Sequence, residues 1–135
     1  MTIIVGLIDS PEGRAALDRA VDEARLRGGT LVVLHSSRGR GHDDAEDVIA
    51  WRERLEETDG RLTDLGIPHV VRDYVRGSSP AEDILQAATD EGAELIVIGL
   101  RHRSPVGKLV LGSTAQEVLL GAGCAVLAVK ASRDG

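Results

Sequence analysis

Between Gly99 and Thr114 the chain reads GLRHRSPVGKLVLGST, directly after the apolar run AELIVI. Its residue types suit anion binding: glycines let a backbone approach a ligand, Arg101, His102, Arg103 and Lys108 carry positive charge, and Ser113 and Thr114 carry hydroxyls. A phosphate loop of the form G-x-x-x-x-G-K-[ST] does not fit, because His102 stands at the first glycine and Leu109 at the hydroxyl. A dinucleotide fingerprint fails as well, since GLIDSPEG offers only Gly6 and Gly13, wrongly spaced. What remains is a helix start at Gly112-Ser113-Thr114, where N–H groups and the positive end of the helix dipole attract an anion. The same residues also suit a plain helix cap, with Ser113 as N-cap and Gln116 three residues on.

Positioning that stretch requires elements on both sides of it. TIIVGLI (2–8), TLVVLH (30–35) and AELIVIG (93–99) are short, nearly continuous apolar runs, as expected of strands covered on both faces. PHVVRDYV (68–75) alternates more and suits an edge strand, and CAVLAVK (124–130) is a fifth strand. Helices separate them. The first begins at Asp9 or Ser10 with Pro11 in its first turn and stops at Gly28-Gly29. The second runs from about Asp44 to Leu65, with Trp51 an anchor against the sheet. The third has Ser79, Pro80 and Glu82 as cap, first turn and capping box, with Gly92 as stop. Strict alternation predicts an α/β, Rossmann-like fold: a five-stranded parallel sheet with helices on both faces, in one domain over residues 1–135. In such sheets ligands lie beyond the carboxyl ends of the strands, where strand order reverses.

Composition narrows the function classes. With 135 residues and 42% hydrophobic content the chain can bury a full core, and Trp51 and Tyr74 are its only aromatics, so that core is aliphatic. A net charge of −6 argues against general nucleic-acid binding, which needs a cationic surface. No apolar run approaches the roughly 20 residues that span a bilayer, and MTIIVGLID lacks the basic start of an export signal, so neither membrane nor export is expected. The single Cys124 fits a small core residue in a reducing compartment, the cytoplasm.

The pattern VIGLRHRSPVGKLVLGSTAQEVLLGAGCAVLAVK resembles the C-terminal half of the universal stress protein family, and IIVGLIDSPEGRAALDRAVDEARLRGGTLVVLH resembles its first strand, helix and second strand. That resemblance implies an adenine nucleotide alpha hydrolase-like fold and a two-fold dimer. The family's ATP-binding members carry G-x2-G-x9-G-[ST], which falls here on Gly99, His102, Gly112 and Ser113, with His102 replacing the second glycine. The family's aspartate after strand one corresponds to Ile8, and Asp9 lies one residue along.

Two readings stay open. One is a dimeric stress-response module with a degenerate nucleotide loop, and the other is an ATP- or AMP-binding member, with slow ATP hydrolysis as an extension. The cofactor-binding candidates are Asp9, Gly99, Arg101, Arg103, Lys108, Gly112, Ser113 and Thr114, with a phosphate or sulfate anion expected at the start of the fourth helix; no metal ligand or catalytic residue is assigned. The four histidines have no legible catalytic partners, and His35, at a strand end, is read as structural. A phosphoacceptor site fails because Asp73 lies inside a strand and Asp9 lacks an acidic neighbour. If the last strand is a sheet edge, AVLAV (125–129) favours pairing with a second copy.

Overall fold

Ile3, Ile4 and Val5 are all fully buried, and consecutive buried residues on one strand require cover on both faces of its sheet. The computed structural model describes residues 1–7, 11–35, 45–73, 79–102 and 109–131. In chain order the elements are β1 (Thr2–Leu7), α1 (Pro11–Arg27), β2 (Thr30–His35), α2 (Ala45–Asp64), β3 (His69–Asp73), α3 (Pro80–Glu91), β4 (Leu95–His102), β5 (Leu109–Val110), α4 (Ser113–Gly121) and β6 (Ala125–Lys130). Five of the strands form a parallel sheet in the order β3-β2-β1-β4-β6, which is the expected α/β architecture. Strand order reverses between β1 and β4.

Alternation along the strands splits the core in two. Ile3, Val5, Leu31, Val33 and Val97 pack beneath α1 and α2 with Leu17, Val21 and Leu62. Ile4, Val32, Leu34, Ile96 and Ile98 pack beneath α3 and α4 with Ile84, Ala87 and Val118. Burying each such side chain contributes about 1.5–3 kcal/mol before entropy is counted.

The local signals behave as their chemistry requires. Ser79 is the N-cap of α3 and its hydroxyl accepts from the Glu82 N–H at 3.2 Å, while Gly92 closes the helix at φ 63° with its N–H on the Ala88 and Thr89 carbonyls. Glu23, the buried carboxylate of α1, is held between Arg19 at 3.8 Å and Arg27 at 3.4 Å.

Two details depart from the sequence reading. β4 continues past Gly99 to His102, because Arg101 and His102 pair antiparallel with Val110 and Leu109 of the short β5. The N-cap of α4 is Gly112, and Ser113 is its first helical residue, so the expected side-chain cap from Ser113 does not form.

Candidate functional site

At the point where strand order reverses, the carboxyl ends of β1 and β4 open a solvent-facing cleft of about 160 Å³. Its floor is Gly6 and Val97 to Leu100. Glu12 and Gly13 of α1 form one wall, Gly112, Ser113, Thr114 and Ala115 at the start of α4 another, and Ile84 of α3 closes the apolar side.

The two glycines expected to matter serve different ends. A Cβ on Gly99 would lie 2.7 Å from the Glu12 carbonyl carbon and nearer still to its oxygen, so a bare residue there lets α1 start directly against β4. A Cβ on Gly112 would meet nothing within 4 Å, and φ −71° with ψ 167° is a conformation any residue adopts. Neither crowding by the described protein nor backbone strain calls for glycine at Gly112. Gly112 itself is one of the residues that line the cleft.

Helix ends set the electrostatics. Glu12 sits in the first turn of α1, and Glu82 and Asp83 in that of α3, where carboxylates offset the positive end of the dipole. The first turn of α4 has no acidic residue and no side-chain cap. Of these three helices, only α4 presents its N-terminus without a negative group. It is also fastened to α3, since the Ser79 hydroxyl donates to Glu117 at 3.3 Å.

The structure brings Gly99, Gly112, Ser113 and Thr114 together in one cleft. Arg101 and His102 lie on the β4 extension, where their backbones pair with β5. Asp9, Arg103 and Lys108, like Ile8, lie outside the described residues, as do the side chains of His35 and Trp51. Glu12 and Ile84 line the cleft without having been singled out in the sequence, and Gly6 and Gly13 line it although they were weighed only for a dinucleotide fingerprint; Pro11-Glu12-Gly13 at the start of α1 is a signal that could have marked Glu12. Among the described residues, no group of three His, Cys, Asp or Glu could hold a metal ion, and no helix is long and apolar enough to cross a membrane. Burial raises the pKa of the Cys124 thiol, which leaves it protonated and poorly nucleophilic at neutral pH.

The chain matches the model of the universal stress protein family over residues 1–130. It belongs to that family. A universal stress protein of Mycolicibacterium smegmatis is 41% identical over 128 residues, covering 95% of this chain and 96% of the relative. A universal stress protein structure from Archaeoglobus fulgidus is 38% identical with a TM-score of 0.79, covering 96% of this chain and 98% of that one. A second universal stress protein structure from the same organism, in complex with dAMP, is 34% identical with a TM-score of 0.75, again over 96% and 98%.

Away from the cleft, His69 joins α2 to β3. Its Nδ1 donates to the Ile67 carbonyl at 2.7 Å and its Nε2 to Asp59 Oδ1 at 2.7 Å. A carbonyl and a carboxylate both accept, so the two contacts together favour the ring protonated on both nitrogens. Burial, the largest influence, works to lower its pKa, but the Ile67 hydrogen bond and the Asp59 pairing together outweigh it, and the pKa rises above 6.5.

Proposed function

We propose that this universal stress protein binds an adenine nucleotide in the β1–β4 cleft, with a phosphate on the α4 N-terminus and the nucleoside along the apolar wall. The observation that carries the reading is Gly112: a helix N-cap without a side chain, beside open cleft space, whose glycine nothing in the described protein requires. The N–H groups of Ser113, Thr114 and Ala115 and the hydroxyls of Ser113 and Thr114 are the donors a phosphate needs. The dAMP complex of a relative 34% identical to this chain supports an adenine nucleotide over other anions. Gly99 contributes by seating α1, and Arg101, Arg103 and Lys108, the cations that the sequence carries between Gly99 and Gly112 besides His102, would add positive charge.

The role is binding rather than turnover. The described lining offers one carboxylate and two hydroxyls, without the nucleophile–base–orienter arrangement of a hydrolase. His102, in place of the second motif glycine, favours the other reading, a family member that signals without nucleotide. Calorimetric titration of AMP separates the two: saturable heat supports the cleft as a nucleotide site, and no heat at millimolar AMP supports the other reading.

The working form is a cytoplasmic homodimer. Among the described residues β6 pairs with β4 alone, and Val126, Leu127 and Val129 remain half-buried, which suits pairing of 125–129 with the same strand of a second copy. Light scattering is expected to give twice the chain mass; a monomer mass at every concentration refutes the dimer.

A further inference from the structure

The helix α4 is nine residues long and has Ala115 and Val118, about one turn apart, as its buried side chains. On its side toward α3, Gly121 lies so close that a Cβ there would fall 2.9 Å from Leu85 Cδ1, and one turn earlier Glu117 accepts a hydrogen bond from the Ser79 hydroxyl at 3.3 Å. Ser79 can make that bond while capping α3, because a hydroxyl has one hydrogen to give to Glu117 and lone pairs left for the Glu82 N–H at 3.2 Å. We propose that Glu117 is a positioning residue for the nucleotide site: through Ser79 it holds the start of α4 at the angle at which its N–H groups converge on a phosphate. The proposal rests on the nucleotide reading above and adds to it the device that orients the donors of that site.

Leverage makes so light a bond matter. Ser113 precedes the middle of the buried turn by about 5 Å of helix, so a tilt of about 10° carries the first N–H groups about 1 Å sideways. Binding constellations need their groups within about 0.5 Å of the productive geometry. The N-cap, Gly112, has no side chain to brace the helix start, so a lateral hold has to come from farther along α4. Glu117 is well placed for it, three residues beyond the cleft-lining Thr114 and on the same side of the helix. The tie is exposed and adds little to global stability. Its effect falls on the fraction of molecules with α4 aligned, and apparent affinity drops in proportion to that fraction. Charge works in the opposite direction: a carboxylate on the helix that holds the phosphate repels it, so if Glu117 acted by charge alone its removal would strengthen binding.

AMP is titrated calorimetrically into the full chain and into Glu117→Ala, Glu117→Gln, Ser79→Ala and the double variant Ser79→Ala/Glu117→Ala, with thermal melts of each. Glu117→Ala is expected to weaken AMP binding at least about threefold while its melting temperature barely moves. Glu117→Gln keeps a side-chain oxygen that accepts from Ser79, so it is expected to bind AMP as wild type does, or more tightly for want of the charge. The double variant is expected to bind no more weakly than the weaker of the two single variants, because both remove the same tie. Glu117→Ala that binds AMP as tightly as wild type, or no differently from Glu117→Gln, overturns the proposal, and so do losses that add in the double variant. Either result leaves the nucleotide reading standing, since wild type still binds. If wild type takes up no AMP at millimolar concentration, the nucleotide reading itself fails, and this proposal with it.

Discussion

The bare α-carbon of Gly99 lies against the backbone of Glu12, so close that a methyl group on it would fall 2.7 Å from the Glu12 carbonyl carbon. This contact sets the entry angle of α1 over the sheet and the width of the cleft. Gly99→Ala must push α1 away or bend β4, and is expected to destabilise the fold by about 1–3 kcal/mol, the usual cost of overpacking. Chemical denaturation measures it. A change below about 0.5 kcal/mol would show that the helix start yields without cost.

Ser79 holds two elements at once, capping α3 through the Glu82 N–H and reaching Glu117 on α4. Loss of a helix N-cap costs about 1 kcal/mol. Ser79→Ala is therefore expected to lower stability by that amount, and Glu117→Ala by less than half of it, since an exposed polar tie contributes little. Equal losses in thermal melts would mean that the tie to α4, and not the cap, is what Ser79 provides.

His69, with its side chain 10% exposed and both nitrogens on oxygen acceptors, makes stability depend on pH in a defined direction. Its folded pKa is raised above 6.5, so the clasp to Asp59 stabilises fully below that value and its contribution is lost as pH rises through the folded pKa. The margin of wild type over His69→Gln should be largest near pH 5.5 and smallest near pH 8.5. Melting temperatures of the two proteins across that range decide it, and a constant margin would mean that the ring's charge plays no part.

Much of this architecture is written locally. The Ser79, Pro80, Glu82 and Gly92 signals bound α3 by themselves, and continuous apolar runs marked the buried strands of a parallel sheet. What stayed hidden depends on contacts distant in sequence. Gly99 read as a ligand-facing glycine, and only the packing of α1 on β4 shows that Glu12 occupies the space beside it. The pairing of His102 with Leu109 turned an expected loop into a strand extension, because neither two-residue half is visible without its partner. At the start of α4 a one-residue shift of the cap moved Ser113 from capping side chain to first helical residue, a distinction finer than helix ends can be read from sequence. Asp59 and His69 are ten residues apart with a helix end between them, a spacing no local rule connects.

The central claim is that Gly112 is bare for the sake of a bound phosphate. Aspartate suits its backbone angles and is a preferred N-cap, so Gly112→Asp should leave the fold as stable or add up to about 1 kcal/mol, while placing a carboxylate where the phosphate would sit. Titration of AMP into wild type and this variant, with thermal melts of both, is the most direct test. Saturable binding to wild type that vanishes in a variant of undiminished stability is the predicted result. Unchanged AMP affinity in the variant, or no binding to wild type at millimolar AMP, would contradict it.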